Sequence, residues 1–467
     1  GRSDWLVAPT ATRHNGRMRI LFIHQNFPGQ FKHLAPALAV QGHEVVALCI
    51  NNPSFPTPGV KIVQHRPHLT AQAPGSDTEA GALHELRNKM ERGVSVAHAL
   101  RALQHGGFTP DLVYAHSGWG EAFYVKDVFP DTSLLVYAEY FYQANGGDSH
   151  FDPEFSRPSE GSQRRLHTKN LHLMHALMHA DRGLSPTTFQ RDRHPDPLRD
   201  RIEVIHDGID THRFAPASQA YISLRNAGLR LTSQDEVITF SVRELEPYRG
   251  YHIFMRALPE ILARRPNAQV ILVGGNGASY GAAAPAGTTW RQIFHKEVAD
   301  RIDARRVHFV GKLPHATLTQ LMQVSTAHVY LTYPFVLSWS LMEAMSVGCL
   351  VVASDTAPVR EQIRHGENGL LFDFFNPQAL ADTVVHAIDQ RAHETHQGRH
   401  GIGLDGVVQA HPLRQNLAHG RNARRDQRPV IGIERRLTHP LGKPRQGQAA
   451  DPQLGTRGIK AIHDPAS

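Results

Sequence analysis

The chain has 467 residues, 40% of them hydrophobic, which is enough to fill more than one core, and no apolar run approaches the length of a membrane span. Its two cysteines, Cys49 and Cys349, fall in different halves on strands that read as buried, which excludes a disulfide framework and favours a reducing, cytoplasmic compartment. The net charge of +7 resides wholly in residues 391–467, so the preceding residues are balanced and give no basis for specific nucleic-acid binding.

Residues 1–17 lack periodicity and read as an extension ahead of Met18. RILFI then reads as a strand, followed by a loop (Asn26, Phe27, Pro28, Gly29, Gln30), a helix, a Gly turn and a second strand ending near Cys49. Because the loop opens a helix, the amides around Gly29 and Gln30 are expected to suit a phosphate.

DLVYAHSGWG places His116 at a strand end before a Gly turn, where an imidazole can polarise a hydroxyl; a structural histidine bonded to a carbonyl is the plainer alternative. LLVYAE places Glu139 at another strand end, and Tyr140, Phe141 and Tyr142 follow, either to stack on a sugar or to fill core. His172, His175 and His179 lie at i, i+3 and i+7, hence on one helix face, but no Cys or carboxylate completes a zinc shell. No metal is expected there.

A second unit of the same design begins near Val237. VITFSVREL is a strand, HIFMRALPEILARR a helix, and AQVILVGG a buried strand ending in Gly274 and Gly275. GGNGASYG lacks the full dinucleotide pattern and reads as a loop over a diphosphate, with a mobile insertion from Gly277 to Thr289. SLMEAM is an amphipathic helix with one carboxylate, Glu343; Gly348 stops it, and the buried run Cys349–Ala353 follows. The expected plan is an acceptor-side domain over 18–205, a linker over 206–236, a donor-side domain over 237–390 and a tail over 391–467.

Taken in order, several of these segments resemble the family 4 retaining glycosyltransferases of GT-B architecture. They are VRELEPYRG (Val242–Gly250), VILVGGNG, VHFVGKLPHATLTQLMQVSTAHVYLTYP and LMEAMSVGCLVVASD, with VIHDGIDTHRFAP as the connection entering that half. The FPGQF loop with QGHEV looks like the first unit of the acceptor-side half. The resemblance implies an α/β fold: two Rossmann-like, doubly wound domains with an interdomain cleft. It implies transfer of a sugar from a nucleoside diphosphate sugar, which is a substrate and not a cofactor, to a hydroxyl acceptor, by front-face attack without a metal.

By the same resemblance, Arg243 and Arg249 grip the diphosphate, Glu343 holds the ribose, and His116 lines the acceptor side. The family's first Glu would fall eight positions before Glu343, where this chain has Phe335; its small turn is here Val336, Leu337, Ser338 and Trp339, leaving the Ser338 hydroxyl as one donor. These departures keep two further readings open: a nucleotide- or glycan-binding relative without activity, and a sugar-nucleotide epimerase.

Residues 391–467 contain no Phe, Trp or Tyr and cannot easily bury a core. They read as a disordered basic tail, either foreign to the fold or an arm for peripheral contact with an anionic membrane face.

Overall fold

Short apolar runs alternate with helices in both halves of the chain, and that alternation is what a parallel sheet covered on both faces requires. The computed structural model describes residues 16–53, 55–70 and 78–396, with side chains up to residue 390. Most of the expected extension, and the tail beyond residue 396, lie outside the described residues.

The first lobe carries β1 (Arg19–Ile23), α1 (Leu34–Val40), β2 (Glu44–Cys49), β3 (Val60–Gln64), α2 (Glu79–His105), β4 (Leu112–His116), α3 (Val125–Val128), β5 (Ser133–Tyr137), α4 (Glu160–His179), β6 (Arg182–Ser185), α5 (Thr188–Asp192), α6 (Asp196–Arg199) and β7 (Ile202–Val204). Its seven strands are parallel in the order β3-β2-β1-β4-β5-β6-β7. Both faces are buried: Leu21 and Ile23 pack with Val96 and Leu100 of α2, while Ile20 and Phe22 pack with Phe27 and Phe31.

A hairpin of β8 (Tyr221–Leu224) and β9 (Leu229–Thr232) comes next. Ile222 and Leu231 pack on Val237, Ile271 and Leu321, so most of the expected 206–236 linker belongs to the second lobe.

That lobe comprises β10 (Val237–Glu244), α7 (Tyr251–Arg264), β11 (Gln269–Gly275), α8 (Trp290–Val298), β12 (Val307–Gly311), α9 (His315–Val324), β13 (Ala327–Tyr330), α10 (Trp339–Ser346), β14 (Val351–Ser354), α11 (Ala357–Arg360), β15 (Leu370–Phe372) and α12 (Pro377–His396). Its sheet is parallel, in the order β12-β11-β10-β13-β14-β15. The last helix runs six residues past the expected boundary at 390, and Asp382 and Asp389 on it pair with Arg264 and Arg265 at the end of α7.

Strand order reverses between β1 and β4 in the first sheet, and between β10 and β13 in the second. Such switch points open a crevice at the carboxyl ends of the strands, where α/β folds bind ligands. The two lobes meet through these ends. A segment leaving β5, residues 138–156, runs across onto the second lobe. Tyr140 donates to the Pro334 carbonyl and packs on Phe335, Phe151 lies against Tyr333 and Phe374, and Arg256 holds Glu154 by two 2.8 Å bonds.

Candidate functional site between the lobes

At the first switch point His24 follows β1 and His116 ends β4, with ring centroids 5.1 Å apart. Backbone amides fix both tautomers: Asn26 N–H donates to His24 Nδ1 and Gly118 N–H to His116 Nδ1, each at 3.0 Å, so each ring carries its proton on Nε2. His24 Nε2 donates to the Gln30 carbonyl at 2.8 Å, and the Gln30 amide donates to Glu139 Oε1 at 2.7 Å. His116 Nε2 faces the other oxygen of Glu139 at 3.6 Å.

Burial, together with neighbouring His116, pushes the His24 pKa down to about 3, so this ring is a neutral donor. Glu139 is also desolvated, but the neighbouring His116 and the hydrogen bond from Gln30 outweigh this and hold its pKa below the usual value. The Glu139 side chain is 28% exposed and that of His116 is 0% exposed. His116, stacked between Trp119 and Tyr137, thus acts behind Glu139, and the carboxylate is the group that reaches the surface.

Gly29 has a packing role. Its φ is +45°, and a Cβ there would lie 2.3 Å from His24 Nε2, so glycine is what lets Gln30 reach the ring. The turn it opens is only three residues long, α1 begins at Leu34, and the Gln25 and Asn26 amides are taken by Glu121 and His24. Tyr140 is buried interlobe core, whereas Tyr142 is half-buried under the Lys169 ammonium, 3.4 Å from its ring centre.

At the second switch point Arg249 is buried, donates to the Thr332 hydroxyl at 2.5 Å, and lies 4.9 Å from the Tyr280 ring centre. Arg243 does not join it. A bulge between Ser241 and Glu244 adds a residue to β10, leaving Arg243 exposed and turning Glu244 toward the glycine loop. Glu244 accepts from Gly277 N–H at 2.8 Å and from Lys312 at 2.5 Å. Gly275 is the closer-approach residue of this pair, since a Cβ would stand 2.2 Å from Glu244 Oε2; a Cβ on Gly274 would crowd Leu245 and Val242 at 3.0 and 3.2 Å.

The loop expected over a diphosphate is held from below. Glu246, fully buried, accepts from the Ser279 amide and hydroxyl and from the Tyr280 and Gly281 amides. Those amides are already satisfied, and Trp290 Nε1 bonds the Ala282 carbonyl, so the start of the expected mobile insertion is pinned. Ser338 caps α10, its hydroxyl engaged with Ser340. Glu343 is buried on α10, 3.1 Å from His315 Nε2, and its charge acts across the junction on Lys32 of the first lobe.

Between the switch points lies Asp207, three residues beyond β7. One of its oxygens accepts from Tyr137 at 3.0 Å and from Trp339 Nε1 at 2.9 Å, and Lys32 sits 4.0 Å over the Trp339 ring. Phe335 is 6% exposed inside a cluster of Tyr140, Tyr142, Tyr248 and Tyr280 and forms an aromatic plug joining the lobes.

Among the described residues one group, Asp152, Glu154 and His252, has metal-ligand spacing. Its atoms are spent on protein: His252 and the Tyr333 hydroxyl bond Asp152, and Arg256 takes Glu154. The histidine stripe is likewise structural, with His172 Nε2 donating to the Gly118 carbonyl and His175 stacked on His179. Cys49 and Cys349 are both buried and outside any disulfide.

The sequence matches the model of the glycosyl transferase family 4 group over residues 41–214 and that of the glycosyl transferases group 1 over residues 230–402, one on each lobe. The chain belongs to the family 4 glycosyltransferases. A D-inositol 3-phosphate glycosyltransferase of Corynebacterium efficiens is 24% identical over 212 residues, which cover 45% of this chain and 48% of that protein. The chain thus spans about half the length of the curated relatives it matches.

The fold is similar to that of sucrose-phosphate synthase from Thermosynechococcus elongatus, with a TM-score of 0.59 and 18% identity over 80% of this chain and 91% of the other. It is also similar to Anabaena HepE solved with UDP-glucose, with a TM-score of 0.51 and 17% identity over 82% of this chain and all of the other. The two facing Rossmann-like lobes are the expected GT-B architecture. No helix among the described residues is long and apolar enough to cross a membrane.

Sequence reasoning missed His24, Asp207 and the carboxylates Glu244 and Glu246. His24 follows RILFI directly and was open to the strand-end argument used for His116. Asp207 carries no local signal, because its partners Tyr137 and Trp339 are distant in sequence.

Proposed function

We propose that this chain is a retaining glycosyltransferase that takes a sugar from a nucleoside diphosphate donor and places it on the hydroxyl of an anionic acceptor. The bond from the anomeric carbon to the diphosphate oxygen breaks, the acceptor oxygen bonds to that carbon on the same face, and the acceptor proton passes to the departing phosphate. Arg249 neutralises the diphosphate and Glu343 accepts from the ribose hydroxyls. Glu139, held by Gln30 and backed by His116, orients the acceptor hydroxyl. No divalent cation is required, since Arg249 supplies the charge.

The observation that carries this reading is the opposition of the two switch points, Glu139 on one side and Arg249 and Glu343 on the other. An anionic acceptor is supported by Lys89, Arg165 and Lys169, three cations that lower the pKa of one desolvated carboxylate, Glu85, beside the loop after β4. The inositol phosphate acceptor named for the curated relatives fits that chemistry.

Transfer of radiolabelled sugar from UDP-, GDP-, ADP- and dTDP-donors to phosphorylated polyols, with and without EDTA, tests it. Turnover that survives EDTA and falls sharply in Arg249→Ala and Glu343→Ala but not His172→Ala is the expected result. The buried Phe335 and the satisfied loop amides favour one second reading, a nucleotide binder without turnover. Tight binding of a nucleoside diphosphate with no transfer and no hydrolysis would establish that instead.

A further inference from the structure

Asp207 is where the chain crosses from one lobe to the other. β7 ends at Val204, Gly208 has φ +84° with nothing within 4 Å of a Cβ, and Phe214 is already core of the second lobe. At this crossing, a single carboxyl oxygen takes bonds from both sides. Tyr137 ends β5 and stacks on His116 at 5.2 Å, while Trp339 is the first residue of α10, the helix that carries Glu343 one turn later.

We propose that Asp207 is a positioning residue of the interlobe site: by holding Tyr137 of the first lobe and Trp339 of the second on one oxygen, it sets His116 and Glu139 in register with Glu343. The proposal rests on the transferase reading for what is being aligned, though the clasp itself does not. Hydroxyl and indole N–H donors into one acceptor fix both a distance and an angle, which apolar packing of the same area does not.

The clasp is also sensitive to protonation. Burial raises the Asp207 pKa to about 6, against the pull of the Trp339 and Tyr137 bonds, with Glu139 adding to the rise and His116 opposing it. The other groups facing it are Tyr114 and the Lys32 ammonium, the latter also under the influence of Glu343. The two donors oppose that rise because they bond the carboxylate more strongly than the acid, so ionisation above about pH 6 tightens the clasp and protonation below it loosens both bonds. Asp207→Asn keeps a neutral oxygen for both donors and so holds the weaker, uncharged form of the clasp at every pH; Asp207→Ala loses both bonds.

The full chain is labelled on indole nitrogen, the Trp339 resonance is assigned with Trp339→Phe, and it is titrated from pH 5 to 8 alongside steady-state kinetics. In the native protein the resonance is expected to move with a midpoint near 6. Asp207→Asn should flatten that titration and hold the acceptor KM near the higher value that the native protein shows at pH 5. Asp207→Ala should shift the resonance at all pH values and raise KM roughly tenfold, the scale of one to two lost hydrogen bonds. A resonance and a KM unmoved by Asp207→Ala, in a folded protein, overturn the clasp and leave the transferase reading intact. A titrating resonance without turnover of any donor sinks the transferase reading and leaves the clasp.

Discussion

The Arg249 guanidinium donates to the Thr332 hydroxyl across the point where strand order reverses in the second lobe, at 2.5 Å. It is thereby fixed in place before any ligand arrives, which is what stabilisation of a departing diphosphate demands. Arg249→Met should weaken nucleoside diphosphate binding by roughly tenfold or more, since the loss of a charge-assisted contact exceeds 1.4 kcal/mol. Arg249→Lys should fall between, keeping charge without the planar fork. Calorimetric titration with the diphosphate decides, and equal affinity in all three proteins would remove Arg249 from the site.

Gln30 bridges His24 to Glu139, so its loss and the loss of the carboxylate should not act alike. Glu139→Gln removes the exposed acceptor and is expected to lower kcat by about 100-fold. Gln30→Leu leaves the carboxylate but frees its orientation, and should raise the acceptor KM with a smaller change in kcat. Identical kinetic profiles for the two variants would contradict the division of roles.

Phe335 occupies the aromatic plug. Phe335→Ala should cost about 3–5 kcal/mol in chemical denaturation, the range for a large buried ring. Phe335→Glu should be at least as damaging, because the new carboxylate would be buried among Tyr140, Tyr248 and Tyr280. A Phe335→Glu protein as stable as the parent would show that the plug opens readily.

His24 makes stability depend on acid. Its pKa lies near 3 in the fold and returns to about 6.5 when the chain unfolds, so between these values the unfolded state binds more protons and stability rises with pH. That contribution is complete above about pH 6.5 and is lost on acidification. His194 and His328, lowered by burial to about 4, add to the same slope. Denaturation midpoints between pH 4 and 7 should therefore vary less in His24→Gln than in the parent, and an unchanged slope would refute it.

Much of the architecture was readable because parallel strands buried on both faces must be apolar throughout. RILFI, EVVALC, VITFSV and QVILVGG announce themselves, and with the intervening helices they define both lobes. The strand-end rule also located His116 and Glu139, and helix periodicity located Glu343.

The failures share a cause. Arg243 was expected from the family resemblance, but a bulge after Ser241 adds a residue to β10, leaving Arg243 exposed and turning Glu244 toward the glycine loop. The Asn26–Gln30 and Gly277–Tyr280 loops read as ligand-facing because open amides in glycine-rich turns usually are. Here side-chain carboxylates and an imidazole, supplied by residues whose reach is invisible in one dimension, already satisfy much of that backbone. Asp207 and the 138–156 segment escaped for the same reason, since both act only through partners on the opposite lobe.

That crossing segment has a bearing on how the molecule can be handled. Tyr140, Phe151 and Phe155 come from the amino-terminal sequence yet complete the hydrophobic interior built around Tyr333, Phe374 and Phe294. A fragment beginning after Gly208 would present those rings to water and should aggregate, while its counterpart would carry an unsupported flap. The halves look modular on paper but inherit one shared interior, so exchanging donor specificity by swapping the carboxyl-terminal half alone should fail unless residues 138–156 travel with it.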